Sequence, residues 1–151
     1  MKAALGKSST MEIYYQTLVK EGLFDTMKDV MLTAIALGYK NNRRVPFTKY
    51  GGDAIKEHIF KDDMDFLNVI AVLTTKDIKI LLEENKDEKY KMLEEYAEGG
   101  MQILVDSIFS ETYTDADRVI NYVKSQAPSI SGGKQDLSDL FGGIIDELEN
   151  S

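Results

Sequence analysis

The chain has 151 residues, 43% hydrophobic and 29% charged, so it is long enough to bury a core as one globular domain without disulfides or metal ions. It contains no cysteine, which excludes disulfides, cysteine nucleophiles and thiolate metal sites. The formal net charge of −8 argues against non-specific binding to nucleic acid.

Charge is distributed unevenly along the chain. Residues 1–50 carry eight Lys or Arg against four Asp or Glu, whereas residues 51–151 carry ten against twenty-two. The basic end and the acidic end are each either solvated surface or a face for a partner of opposite charge. The segment MKAALGKSST lacks the hydrophobic region of a secretory signal, and no apolar run is long enough to span a bilayer. We therefore expect a cytoplasmic protein.

Two helices are predicted in the first forty residues. Residues 1–9 lack periodicity and are expected to be frayed, and the first helix begins after Ser9 or Thr10 and stops at Gly22. In the second helix, Thr26 and Asp29 resemble a capping box. Its apolar residues recur at spacings of three and four, and Gly38 supplies a C-terminal stop, so this helix is expected to end near Leu37.

A basic loop follows the second helix. Its polar residues lead to Pro46, which disfavours helical geometry in the residue before it. We predict that its cations form the strongest positive patch on the surface. The candidate residues for binding nucleic acid or phosphate are Lys40, Arg43, Arg44 and Lys49.

Three further helices are predicted between residues 53 and 108. Asp53 is expected to cap a short one. The segment MDFLNVIAVLTT is apolar on nearly all sides, so we interpret it as a central helix, with a buried strand as the alternative. A long helix from Asp87 onward keeps its register across Gly99 and Gly100, a pair that indicates a bend, a break or a close helix crossing.

The C-terminal part is predicted to hold a last domain helix, a linker and a tail. Thr114 and Asp117 form a second cap-like pair, residues 127–134 have linker composition, and residues 135–151 form an acidic amphipathic helix. A short helix containing two glycines is marginal alone and needs a groove, which belongs either to its own domain or to a partner. The candidate partner-binding residues on its apolar face are Leu137, Leu140, Phe141, Ile144 and Leu148.

No catalytic, cofactor or metal site is predicted. His58 is the only histidine and has no sequence partner for metal binding or acid–base catalysis. Glu94 and Glu98 lie one helical turn apart and could share a cation, but no histidine accompanies them. Phosphate-binding, dinucleotide-binding and hydrolase motifs are absent from the sequence. We therefore expect a protein that is not an enzyme.

Three segments together resemble a known bacterial family. They are FDTMKDVMLTAIALGYKNNRRVP, DFLNVIAVLTTKDIKILLEE and LEEYAEGGMQIL, within residues 24–109. The chain looks like dnd system-associated protein 4, a family associated with gene clusters for DNA phosphorothioation. The resemblance implies an accessory role in DNA modification and defence against phage. It carries over no catalytic motif.

The sequence as a whole predicts an all-α protein: a single compact domain of about six helices over residues 1–126, with a flexible acidic tail. The sequence is compatible with two functions. The first is a non-enzymatic adaptor that binds a protein partner, and the alternative is a DNA- or phosphate-binding module that uses loop residues 40–49. Phosphate binding weakens steeply with salt, whereas apolar docking of the tail tolerates salt.

Overall fold

Two helices that cross closely form the centre of the fold. In the computed structural model, which describes residues 2–108, α2 spans Met27–Lys40 and α4 spans Lys86–Ile108. A Cβ added to Gly100 would overlap the carbonyl oxygen of Ala34, and one added to Gly38 would overlap the carbonyl oxygen of Tyr96. The backbones meet at these glycines. Of the three alternatives predicted for Gly99 and Gly100, the structure has the close crossing within one continuous helix.

The predicted start of α2 is confirmed, and its predicted end is wrong. The Thr26 hydroxyl accepts a hydrogen bond of 3.2 Å from the Asp29 amide, as expected of an N-cap. The helix continues past Leu37 to Lys40, and Asn42 takes the positive φ of 51°. Gly38 therefore lies inside the helix and does not end it. Glycine fits this position because a side chain would overlap the Tyr96 backbone.

A two-stranded antiparallel sheet lies where the sequence predicted a frayed end and a short helix. Strand β1 spans Ala4–Ser8 and strand β2 spans Tyr50–Lys56. The register shifts between Leu5 and Lys7, because three residues of β2, 52–54, lie opposite the single residue Gly6 of β1. The predicted helix from Asp53 is therefore wrong, and residues Glu57–Asp63 form a 3-10 helix after the strand.

The other helices match their predicted positions. Helix α1 spans Glu12–Lys20 and is followed by Gly22 with a φ of 78°. Helix α3 spans Met64–Thr75, so helix was the correct choice over strand. Two short 3-10 helices, Ile78–Leu81 and Glu83–Asn85, then lead into α4.

The prediction of an all-α fold with about six helices is wrong. Residues 2–108 form four α-helices and the two-stranded sheet, which is a mixed α and β architecture. The sequence does not indicate the strands, because β2 contains two glycines and buries only Ile55. It therefore lacks the alternation of apolar and polar residues that is typical of a strand. Backbone pairing with β1 and contact with α4 hold the sheet in place.

Helix α3 is not the central helix that its sequence predicted. Leu67 and Ile70 are fully buried, but Val69, Val72 and Leu73 are only partly covered. The centre belongs to α4, which contacts α2, α3 and β1. The buried residues that α2, α3 and α4 contribute to the core include Val30, Met31, Ile35, Phe66, Leu67, Ile70, Leu93, Tyr96 and Leu104.

The predicted helix that begins at Thr114, the linker and the acidic tail lie outside the described residues.

Candidate functional site

The basic loop between α2 and β2 is held against the middle of α4. The backbone carbonyl of Arg43 packs on Gly99, where a Cβ would overlap it. The Val45 amide donates a hydrogen bond of 3.0 Å to the carbonyl oxygen of Glu95, and the Ser9 amide donates one of 2.9 Å to the carbonyl oxygen of Lys49. The loop therefore has a fixed backbone path from α2 to the sheet.

The four predicted loop cations differ in how they are paired. Arg44 Nε lies 2.7 Å from Glu95 Oε1, and this ion pair neutralises its charge. Arg43 donates a hydrogen bond of 2.8 Å to the side-chain oxygen of Gln102, an uncharged partner. Lys40 and Lys49 are exposed. Within residues 2–108, Lys40, Arg43 and Lys49 form no ion pair, so the positive charge of three of the four predicted cations is not balanced by a contacting carboxylate.

A buried acid lies beside the point where the loop enters β2. Glu94 is only 2% exposed and accepts hydrogen bonds from the Tyr50 hydroxyl at 2.8 Å and the Gly6 amide at 2.6 Å. Lys2 also forms an ion pair with it. Burial lowers the pKa of Lys2, but its bonds to Glu94 and Tyr50 outweigh burial and raise the pKa overall. Glu94 thus fastens β1 and β2 to α4.

Glu98 lies one turn further along α4 and is also buried, at 7% exposure. Burial raises its pKa, and a hydrogen bond from Ser8 partly offsets that effect.

Across β1, the buried Lys7 lies 3.0 Å from Glu12 and donates a hydrogen bond of 2.8 Å to the Asp53 carbonyl oxygen. Among residues 2–108, no three His, Asp or Glu side chains are placed to hold a metal ion together. These buried polar side chains therefore connect β1 and β2 with α1 and α4.

In contrast to the polar side chains around β1, an open apolar groove, hereafter the α3 groove, lies along helix α3. It has a volume of about 260 Å³ and is bounded by α3 and the 3-10 helix that follows it. Ile78 is 68% exposed at its edge, and nearby Leu82 is 48% exposed. The residues lining the α3 groove are Asn68, Val69, Val72, Leu73, Ile78 and Leu81.

The α3 groove was missed in the sequence because α3 is apolar on nearly all sides. Apolar residues such as Val69, Val72 and Leu73 also occupy the partly exposed side of this helix, so the sequence does not show which side faces solvent. The candidate tail residues Leu137, Leu140, Phe141, Ile144 and Leu148 lie outside the described residues. Within residues 2–108, no helix combines the length and apolar character needed to cross a membrane.

Comparison with known families identifies the chain. The family described as DNA sulphur modification system-associated protein 4 matches residues 2–140, a longer range than the resemblance seen in residues 24–109. No curated protein and no solved structure matches the chain. The family match covers β1, all four helices and the first part of the tail segment. The chain therefore belongs to the family of DNA sulphur modification system-associated protein 4.

Proposed function

We propose that this chain is a non-enzymatic accessory protein that acts in the cytoplasm by binding another protein of its DNA sulphur modification system. The α3 groove is the observation that carries this proposal. Contiguous exposed apolar surface usually marks an interaction site, and Ile78 and Leu82 leave such a surface open beside Val72 and Leu73. Membership of the family supports a partner from the same system.

Co-purification tests this function with two matched variants. The full chain carrying an affinity tag is expressed with the other proteins of the system, as wild type, Ile78→Asp or Ile13→Asp. Ile13 on α1 is 59% exposed, so it controls for the loss of an exposed isoleucine outside the groove. We expect Ile78→Asp to remove the co-purifying protein and Ile13→Asp to retain it. Equal recovery with both variants, or no system protein with wild type, would overturn the proposal.

The tail is the second candidate element for protein contacts. Leu140 and Phe141 would supply apolar anchors, and such anchors resist salt because their binding rests on burial and not on charge. A Phe141→Asp variant in the same co-purification experiment separates the two elements. If the partner binds the tail, this variant loses the partner at every salt concentration tested.

The basic loop favours a second function, binding of a DNA or phosphate backbone. The specific observation is that Arg43 is bound by neutral Gln102, so its charge adds to those of Lys40 and Lys49. Three phosphate contacts would give a salt slope of about −2.7, or a loss of about forty-fold in affinity between roughly 50 and 200 mM salt. That dependence distinguishes this function from apolar docking.

Duplex DNA binding tests this second function. Fluorescence anisotropy is measured with two unrelated sequences for wild type, for Lys40→Ala with Lys49→Ala, and for Lys76→Ala with Lys79→Ala. The second pair removes two exposed lysines from outside the loop. Loss of affinity with the loop pair alone, equal for both sequences, would support phosphate contacts, which position a protein without reading bases. Equal losses with both pairs would exclude the loop as the binding site.

A further inference from the structure

The α3 groove has the size and composition of a site for side chains of a docked helix. Its volume of about 260 Å³ lies below the roughly 300–1,000 Å³ of typical small-molecule pockets. Five of its six lining residues are apolar, and Asn68 already accepts a hydrogen bond of 2.9 Å from Lys89. Few polar groups remain in the groove to orient a cofactor. An amphipathic helix needs only apolar pockets at helical spacing.

The chain's own tail carries a face of that kind. Leu137, Leu140, Phe141, Ile144 and Leu148 follow the spacing i, i+3, i+4, i+7 and i+11. These positions share one side of an α-helix. The sequence thus supplies an apolar stripe, and the α3 groove offers an open apolar surface of matching character.

The tail is long enough to reach the groove of the same molecule. Helices α3 and α4 run in the same direction, since Lys89 bonds to Asn68 and Tyr96 bonds to Thr74, each at 2.9 Å. Ile108 follows Tyr96 by twelve residues, or about 18 Å of helix. Between Ile108 and the tail lie the predicted helix that begins at Thr114, about 20 Å long if it reaches residue 126, and the eight linker residues 127–134, which typically span about 16 Å; together they cover that return distance.

Tethering favours the tail of the same chain over that of a second copy. A flexible connection that matches the distance gives an effective concentration in the mM range, far above typical protein concentrations. Charge favours docking of the tail at this groove, whether in the same chain or in a second copy, because residues 135–151 contain five acidic and no basic residues. Lys76 and Lys79, both exposed, flank Ile78 in sequence, and the Asp77 carboxylate between them already accepts a hydrogen bond of 3.0 Å from the Lys79 amide.

We propose that residues 137–148 bind as an amphipathic helix in the α3 groove of the same chain and cover it until a protein partner displaces them. As a form of regulation, this inference rests on the proposed function, because a cover matters only if the groove takes a partner. Binding of the tail to the groove is a separate property of the isolated chain.

Disulfide trapping in the purified full chain tests this binding directly. The chain has no cysteine, so Ile78→Cys with Leu140→Cys introduces one defined pair. The matched control is Ile13→Cys with Leu140→Cys, because Ile13 is comparably exposed on α1 and does not line the groove. Under mild oxidation we expect the Ile78 pair to form an intramolecular disulfide at least ten-fold faster than the control pair.

A third variant separates specific docking from simple reach. Adding Phe141→Asp to the Ile78 and Leu140 cysteine pair should slow the reaction about ten-fold, since it places a charge on the apolar stripe while leaving the tether unchanged. Equal rates for the two cysteine pairs, no effect of Phe141→Asp, or a product that is a covalent dimer would each overturn the inference. Because no partner is present, failure here leaves the co-purification result independent.

Discussion

The backbone of Gly100 in α4 lies directly against the carbonyl oxygen of Ala34 in α2, so closely that no side chain fits between them. This contact sets the separation of the two central helices. It also determines the position of the basic loop, because the next residue toward the N-terminus, Gly99, accepts the Arg43 backbone in the same way. The loop and the core therefore depend on the same pair of glycines.

Replacing Gly100 with alanine should destabilise the protein. Alanine alone would favour the helix by about 1 kcal/mol, but its methyl group would overlap backbone, which cannot move aside as a side chain can. We expect a net loss of about 1–3 kcal/mol in the free energy of unfolding, measured with urea. Lys91→Ala, at an exposed position of α4, is the control and should change it by less than about 0.5 kcal/mol. A stabilised Gly100→Ala variant would contradict the close crossing.

Two leucines of α3 should differ in their contribution to stability. Leu67 is fully buried, so Leu67→Ala leaves a cavity and should cost about 2–5 kcal/mol. Leu73 is only partly covered at the α3 groove, so Leu73→Ala should cost less than half as much. Urea unfolding of the two variants measures both values. Equal losses would mean that the outer side of α3 is as buried as its inner side.

Helical periodicity and capping could be predicted from the sequence, whereas the sheet could not. The Thr26 cap and the helical form of α3 follow from local patterns. Strand β2 is held by pairing with β1, almost fifty residues away along the chain, and its glycines give no local preference for a strand. Such long-range pairing leaves no periodic signal.

The loop cations illustrate the same limit at a candidate site. Their clustering in sequence predicts a basic loop, but it does not show which of the cations pairs with a carboxylate. Arg44 pairs with Glu95, and that pairing depends on the crossing of the loop over α4. Local composition could therefore predict the loop. Only the packing on α4 could show that Arg44 contacts a carboxylate and that Arg43 contacts the neutral side chain of Gln102.

Loss of the Arg44 side chain should destabilise the protein modestly. Its partner Glu95 has a side chain only 9% exposed, but Arg44 itself is 41% exposed, so solvent screens the pair. We expect Arg44→Ala to lower the free energy of unfolding by about 1 kcal/mol. Lys40→Ala, at an exposed position without an ion pair among residues 2–108, should change it by less than about 0.5 kcal/mol. If urea unfolding shows that Lys40→Ala destabilises the protein more than Arg44→Ala does, the Arg44–Glu95 ion pair is refuted.

Glu57 should stabilise the protein at neutral pH but not in acid. The hydrogen bond from Lys86 and then the bond from the Tyr90 hydroxyl lower its pKa. A lowered folded-state pKa contributes stability above the unfolded pKa, and that stability is lost as pH falls through the folded pKa. Glu57→Gln should therefore unfold at lower urea concentration than wild type near pH 7, and the difference should shrink below about pH 4. A difference independent of pH would indicate a role other than charge.

Glu98 should show the opposite dependence, because burial raises its pKa. The folded state then binds the proton more tightly than the unfolded state, so this group contributes stability below the unfolded pKa and loses it as pH rises through the folded pKa. Glutamine resembles the protonated acid and can still bond to Ser8. We expect Glu98→Gln to be more stable than wild type in urea near pH 7 and equal to it near pH 4 or below, about the pKa of an unperturbed glutamate. If Glu98→Gln is less stable at pH 7, the Ser8 hydrogen bond to the charged carboxylate outweighs burial.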